Sequence, residues 1–156
     1  MGDIRGVTWN PQCGKWRARF YSCGRRWEAG TYATAEAAAR ELHECRAKFC
    51  GLFEKAVLWI QDTKVDFALK IRAKIFVDGE SVQGSFCYFG PRKAPQIEIA
   101  RWVDEPIDVL LHEAAHALAA SRHGWPGPDH AKQHDHRWGK CYSEIYRDYF
   151  EWKALL

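Results

Sequence analysis

The chain has 156 residues, a mass of 18.0 kDa and a net charge of +3, which corresponds to one ordinary domain or two very small ones. Its content of 47% apolar and 28% charged residues is typical of a folded globular protein and excludes disordered and fibrous classes. No apolar run approaches the ~20 residues that cross a bilayer. The first ten residues lack the apolar core of a signal peptide, so we expect a cytoplasmic protein without a membrane partner.

The positive charge is concentrated in the first third of the chain. Residues 1–51 contain nine Lys/Arg and five Asp/Glu, whereas residues 52–156 contain fourteen and fifteen. Guanidinium groups bind phosphates or guanine while aromatic rings pack on sugars and methyl groups. A pattern of alternating cations and indoles therefore favours a DNA-binding surface over a merely solubilising one. This pattern is formed by Arg5, Trp9, Lys15, Trp16, Arg17, Arg19, Arg25, Arg26 and Trp27.

The same segment predicts three short strands followed by one helix. Thr34 is a typical N-cap for a helix from Ala35 to about Phe49, and Gly51 is a typical stop signal. Apolar alternation and the turn residues between the runs indicate strands over Arg5–Trp9, Lys15–Tyr21 and Arg25–Tyr32.

Four motifs occur in order within residues 4–51: RGVTWN, GKWRARF, AGTY and TAEAAAR. They resemble the DNA-binding domain of APETALA-two/ethylene-responsive-factor regulators, a module also present in bacteriophage and mobile-element proteins. The resemblance implies that the sheet, rather than the helix, enters the major groove of DNA. The strand residues that match the family are Arg5, Trp9, Trp16, Arg17, Arg19, Arg25 and Trp27, and we expect these residues together with Arg26 to contact DNA.

Residues 52–100 predict one helix followed by strands. Leu52–Gln61 fits a helix, although its length leaves a strand open. Apolar residues then occupy every second position over Val65–Val77, which predicts one long strand. Asp78-Gly79 is a hairpin turn signal, with Val82–Phe89 as the expected partner strand. Gln96–Ala100 is a further alternating strand, and we expect it to be the sheet edge on which an extended peptide pairs.

A predicted helix from Pro106 to His123 contains the HExxH motif, His112-Glu113-Ala114-Ala115-His116. Histidines four residues apart share one helix face, so both imidazoles can reach a single metal ion. Glu113 is rotated by about 100° from His112 and can hold a metal-activated water without being a ligand. The alternative is a surface helix with two solvated histidines.

Zinc needs a third protein ligand. Three histidines follow the motif after a Gly/Pro-rich loop: His130, His134 and His136. A glutamate from the next predicted helix, over His136–Leu155, would instead be Glu144, as in thermolysin-like enzymes. The spacing alone leaves these alternatives open.

The HExxH helix, the loop and the run His134-Asp135-His136-Arg137-Trp138 resemble the SprT-like/Spartan family of zinc metallopeptidases. The resemblance covers residues 52–156, implies a minimal zincin-like fold and favours His134 as the third ligand, with His136 as runner-up. The expected fold class is α+β. Residues 1–51 would form the three-stranded antiparallel sheet with one helix, and residues 52–156 an antiparallel sheet with the HExxH helix and a C-terminal helix.

The two resemblances together imply a zinc metallopeptidase that docks on double-stranded or partly single-stranded DNA and cleaves DNA-bound or DNA-crosslinked proteins. Its cytoplasmic setting would be a bacterium or a phage-infected cell, near the nucleoid. Zinc on His112, His116 and His134 is the expected cofactor and Glu113 the catalytic base. The oxyanion donor stays open among His136, Tyr142 and Tyr146. The alternatives are a DNA-binding regulator or virion-associated protein with a structural zinc site, and a metal-dependent nuclease that uses the histidines of residues 130–136.

Overall fold

The described residues between positions 7 and 49 form a three-stranded antiparallel sheet and one helix, which confirms the elements predicted for this segment. The computed structural model describes residues 5–22, 25–72, 74–90, 92–127 and 129–156. Strands β1 (Val7–Asn10), β2 (Lys15–Ser22) and β3 (Arg25–Tyr32) pair in the order β1-β2-β3. Helix α1 (Ala35–Phe49) begins after Thr34, whose hydroxyl accepts a hydrogen bond from the Ala37 amide at 3.1 Å. This cap satisfies an amide that has no partner within the helix.

The rest of the chain supplies a second sheet, a separate hairpin and the remaining helices. The second sheet has the order β4-β8-β7, with β4 parallel and β7 antiparallel to the central β8. It is a mixed sheet within an α+β fold, so the expectation of a purely antiparallel second sheet is wrong. In chain order the elements are α2 (Leu52–Thr63), β4 (Ala68–Arg72), β5 (Ile75–Val77), β6 (Glu80–Val82), β7 (Gly84–Cys87), β8 (Gln96–Ala100), α3 (Pro106–His123), α4 (His130–Gln133) and α5 (His136–Lys153).

The long strand predicted over Val65–Val77 is divided between two sheets. Strand β4 belongs to the mixed sheet, whereas β5 pairs with β6 in the hairpin. The hairpin turn at Asp78-Gly79 is confirmed, with φ values of 51° and 86° that suit a two-residue turn. Val82–Phe89 is likewise divided between β6 and β7. Alternation identifies residues that share a face, but it does not show where a chain leaves one sheet for another.

Strand β8 is the centre of the mixed sheet, so the prediction that it forms the edge is wrong. Its residues Ile97 and Ile99 are fully buried. The carboxylate of Glu98, also on this strand, accepts hydrogen bonds from Arg72 at 2.8 and 3.0 Å and from the Gln96 amide at 2.6 Å. These bonds satisfy a carboxylate inside a sheet. The edges of this sheet are β4 and β7.

Helix α3 lies against β7 and β8, and α2 and α5 pack on it. Its residues Leu110, Leu111, Ala114 and Ala115 are fully buried. Among the described residues, buried apolar side chains form one cluster that extends from β1 to α5, so both sheets share this core. Within the described ranges, no helix combines the length and apolarity needed to span a membrane.

Arg101, directly after β8, ties the second sheet to the first. Its guanidinium donates hydrogen bonds to the Ala29 carbonyl and the Tyr32 hydroxyl on β3, and it pairs with Glu41 of α1 at 3.5 Å. Gly30 gives it room, because a Cβ added there would lie 2.9 Å from Arg101 Nη1. The arginine side chain is only 22% exposed, so its polar contacts hold the sheets together away from bulk water.

Replacing Arg101 tests this link. Arg101→Ala is expected to lower the free energy of unfolding by about 1–3 kcal/mol, because the partly buried acceptors lose a charged donor. Urea unfolding followed by fluorescence measures the difference. Arg92→Ala, at an exposed arginine, is the control and should change stability by less than about 0.5 kcal/mol. Equal stability of Arg101→Ala and wild type would contradict the linking role.

Candidate metal centre and nucleic-acid interface

Three histidines from separate parts of the chain meet at one point. His112 and His116 lie one turn apart on α3, and His134 lies between α4 and α5. Their ligand atoms are all within 4.8 Å of one another, and His134 Nε2 lies 3.3 Å from His112 Nε2. A tetrahedral metal with bonds of about 2.0–2.1 Å to nitrogen separates two ligand nitrogens by about 3.3 Å. The three histidines therefore lie close enough to bind a metal ion.

The start of α5 determines which histidine joins this cluster. Asp135 is the N-cap, and its carboxylate accepts hydrogen bonds from the amides of Arg137 at 2.8 Å and Trp138 at 3.1 Å. The same bonds hold the pKa of Asp135 below its usual value. His134 lies before this cap and joins α3, whereas His136 lies after it and is exposed. His136 is outside the cluster, and the side chain of His130 lies outside the described residues.

Glu144, the alternative ligand, is engaged elsewhere. Its carboxylate accepts two hydrogen bonds from Arg122, at 2.7 and 2.9 Å, and one from Lys64 at 3.2 Å. Hydrogen bonds from these cations, that of Arg122 above all, lower the pKa of Glu144 to about 2. Lys64 also bonds Asp148. This network joins the C-terminal end of α2 to α3 and α5 and does not supply a metal ligand.

Glu113 lies beside the histidines in apolar surroundings. The residue is 8% exposed, and burial raises the pKa of its carboxyl group to about 8. No charged neighbour among the described residues offsets this shift, whereas a cation held by the adjacent histidines would lower the pKa. Gly84 of β7 makes the close packing possible, because a Cβ added there would lie 2.9 Å from Glu113 Oε1.

Aromatic rings surround the histidine cluster. Phe86 of β7 stacks on the His116 ring, with centroids 6.0 Å apart. The Trp138 ring lies 4.6 Å from that of His134 and 5.1 Å from that of His112. These rings pack against the imidazoles and restrict their orientations, so the ligand set is ordered by packing as well as by the backbone.

Two residues of this site, Gly84 and Phe86, were missed by sequence reasoning. Both lie on β7 and face α3, whereas the sequence assigned them to a hairpin without a functional role. A glycine within a strand is a signal for close approach of another element, and Gly84 carries that signal. The partner of the glycine could not be known without the tertiary structure.

Cations and indoles lie on opposite faces of the first sheet. The register pairs Phe20 with Trp27 and Trp9 with Trp16, which places these rings on the face that α1 covers. Trp27 is 6% exposed and stacks on Phe20 at 6.1 Å. The expectation that Trp27 contacts DNA is therefore wrong, because its ring belongs to the core. Trp16 is partly buried, and Trp9 remains 51% exposed at the end of the sheet.

The opposite face of this sheet, which we call the cationic face, carries Lys15, Arg17, Arg19 and Arg26. Lys15 and Arg26 are exposed, and Arg17 pairs with Glu28 at 3.3 Å. Arg5 is exposed in the turn before β1, and the side chain of Arg25 lies outside the described residues. The charge of the face suits phosphate groups.

No family model matches the chain. No solved structure gives a significant match to it either. The function of the protein therefore has to be inferred from the chemistry of the site.

His134 and His136, two positions apart in the chain, give a direct test of the ligand set. His134→Ala is expected to weaken zinc affinity by more than about a hundredfold, because losing a ligand costs more than losing a residue that supports one. His136→Ala is the matched control and should leave the affinity unchanged. Competition against a chromophoric chelator measures both. Unchanged affinity in both variants would contradict the assignment of His134.

The hydrogen bonds that Glu144 accepts from Arg122 and Lys64 predict a free energy of unfolding that decreases at acid pH. The folded pKa of about 2 lies below the ordinary value of about 4.3, so the pairing stabilises the fold fully above about pH 4.5 and is lost as the pH falls towards 2. Arg122→Gln should lower the free energy of unfolding at neutral pH, and its difference from wild type should shrink below about pH 4.5. Urea unfolding at several pH values measures this. A difference that does not vary with pH would show that Arg122 acts through packing alone.

Proposed function

We propose that the protein is a zinc-dependent metallopeptidase that docks on DNA and cleaves proteins bound or crosslinked to it. The observation that carries this proposal is the convergence of three imidazoles beside a buried glutamate on an HExxH helix. The ligand group found among the described residues has three members. Three protein ligands are typical of hydrolytic zinc sites, which keep an open position, whereas structural sites are closed by four.

The donor set supports zinc as the metal. Imidazoles suit zinc and several transition metals, whereas magnesium and calcium prefer oxygen ligands. When bound, zinc supplies a Lewis acid that polarises the scissile carbonyl and acidifies a water molecule.

Glu113 is the residue we assign to proton transfer. It follows His112 on α3, so its carboxyl group is adjacent to the ligands without sharing their face of the helix. In the proposed reaction its carboxylate takes a proton from the attacking water and delivers it to the leaving amine. The apolar surroundings at β7 keep other water away from this carboxyl group.

Strand β7 is the element we assign to substrate binding, in place of β8. It is an edge strand of the mixed sheet, and its Gly84 and Phe86 face Glu113 and His116. An extended peptide that pairs with the free backbone groups of this edge would run past the histidines. The backbone pairing would select extended peptides with little dependence on their sequence.

Tyr142 is the residue we assign as oxyanion donor. Its ring lies 6.0 Å from that of His112 and stacks on Trp138. The Tyr146 hydroxyl instead hydrogen-bonds Asp108 at 3.4 Å, and His136 is exposed outside the cluster. A donor adjacent to the ligands can stabilise charge that develops on the carbonyl oxygen.

The cationic face is the surface we assign to DNA. Because both sheets share one core and Arg101 joins them, a duplex on this face would stay at a fixed position relative to α3. The metal centre would then act on proteins held on the same DNA. The resemblance of residues 4–51 and 52–156 to a DNA-binding module and to SprT-like peptidases supports this combination.

Glu113→Gln tests the proposed chemistry. The variant is expected to lose DNA-stimulated proteolysis by about 10²–10⁴-fold, because it lacks the general base. Zinc and DNA affinities should stay within about twofold of wild type, since glutamine has nearly the shape of glutamate and Glu113 is not a ligand. The assay follows cleavage of a protein bound to a plasmid, by zinc-loaded enzyme.

The same reaction separates the alternatives. Full proteolysis by Glu113→Gln would contradict the role of this residue. A nicked plasmid with intact protein would favour the nuclease alternative. Intact plasmid and intact protein with wild type would favour a regulator whose zinc site is structural.

A further inference from the structure

A row of aromatic side chains runs along α5, away from the histidine cluster. Its members are spaced four residues apart, so each ring lies about one helical turn from the next. Successive ring centroids are 5.0, 5.4 and 5.1 Å apart, which is the contact distance of aromatic pairs. We call this row the aromatic ladder: Trp138, Tyr142, Tyr146 and Phe150.

The aromatic ladder begins at the metal centre and ends at the surface. The Trp138 ring lies 5.1 Å from that of His112. The first three rings of the ladder are half-buried, whereas Phe150 is 49% exposed. The first and last residues are separated by about 18 Å along the helix axis. The ladder therefore offers a continuous aromatic surface that leads away from the candidate ligands.

Strand β7 runs in the same direction as α3. Gly84, its first residue, lies against Val109, and Phe86, two positions later, stacks on His116. Antiparallel pairs of strands outnumber parallel ones, so we expect a peptide on this edge to run against β7. The peptide residues that follow the scissile bond would then pass Gly84 and leave the site toward the N-terminal end of α3.

The aromatic ladder runs toward the same end of α3. Trp138 lies beside His112, whereas the Tyr146 hydroxyl donates a hydrogen bond to Asp108, one turn before His112 on α3. The ladder is therefore continuous with the expected course of the peptide. An extended chain advances about 3.3 Å per residue, so the length of the ladder corresponds to about five residues after the scissile bond.

The chemistry of the ladder suits apolar side chains. An apolar side chain that packs on an aromatic ring leaves water, which is the main favourable term in such association. Lys153 Nζ already lies 5.9 Å from the centroid of the Phe150 ring, which disfavours a second cation at this end. About five extended residues with accessible apolar side chains are typical of an unfolded segment, because a folded domain buries such side chains.

We propose that the aromatic ladder binds the part of the substrate that follows the scissile bond and selects unfolded segments with apolar side chains there. The inference rests on the proposed function, whose metal centre and β7 edge define where the substrate lies. Backbone pairing at β7 imposes little selection on side chains. The ladder would add that selection on one side of the scissile bond.

Fluorogenic peptides that share one cleavage site test this with the zinc-loaded protein and duplex DNA. The short peptide ends two residues after the site, and two long peptides end six residues after it, with leucine or serine at the added positions. Wild type should cleave the leucine peptide with a kcat/KM about tenfold above that of the other two. Mass spectrometry verifies the cleaved bond. The same leucine extension on the amino side should add less than about twofold, and a larger gain on that side would overturn the inference.

Variants of the ladder separate a binding role from a general effect. Phe150→Ala and Tyr146→Ala should each lower kcat/KM for the leucine peptide about five- to tenfold and leave the short peptide within about twofold. Tyr146→Phe keeps the ring and should keep the preference. Trp102→Ala, at a ring outside α5 that is 46% exposed, is the matched control and should change neither value. Equal losses on both peptides, or no loss from Phe150→Ala and Tyr146→Ala, would overturn the inference.

Two further outcomes show which proposal fails. If the short peptide is cleaved by wild type and not by Glu113→Gln, but leucine extension adds nothing, the peptidase stands and the ladder inference fails. If wild type cleaves no peptide, the peptidase fails, and fluorescence anisotropy of the labelled long peptides tests the ladder alone. Tighter binding of the leucine peptide that Phe150→Ala weakens would support it. Equal or undetectable binding of both long peptides would overturn it.

Discussion

The close approach of α3 to β7 at Gly84 is the constraint on which the site depends. Because Gly84 has no Cβ, the side chains of Val109 and Glu113 lie directly against the strand. This contact buries Glu113 and turns the adjacent histidines of α3 toward His134. It also leaves the free edge of β7 beside the ligands. A larger residue at position 84 would separate helix from strand and change all of these relations together.

A helix in this position has to bury polar residues as well as apolar ones. Eleven of the eighteen residues of α3 are buried, among them Glu113 and His116. Burying an ionisable group costs free energy unless a charge or hydrogen bond compensates. The fully buried Leu110, Leu111 and Ala114 on the same helix offset that cost. A local departure from the rules of good packing is typical of a functional site.

Local sequence signals were sufficient to predict most of the helices and strands, and also the two candidate metal ligands on α3. The cap at Thr34 and the turn at Asp78-Gly79 depend on neighbouring residues, so the sequence contains the whole cause. The spacing of His112 and His116 is equally local. The central position of β8 depends instead on its backbone pairing with β4 and β7, which come from other segments of the chain. His134 was nominated through a resemblance rather than through spacing, and the packing partners on β7 were not predicted.

The core shared by the two sheets also affects how the proposed DNA-binding sheet and the metal centre would work together. In a chain of 156 residues, two separate cores would each be near the lower limit of size for independent folding. The apolar cluster found among the described residues instead spans both sheets, and Arg101 fills the space beside Gly30 at the junction. If DNA binds the cationic face as proposed, the metal centre does not swing on a linker. The fold then fixes the distance between the metal centre and the bound DNA. A protein would become a substrate because of its position on the DNA, and the backbone pairing at β7 would accept many peptide sequences.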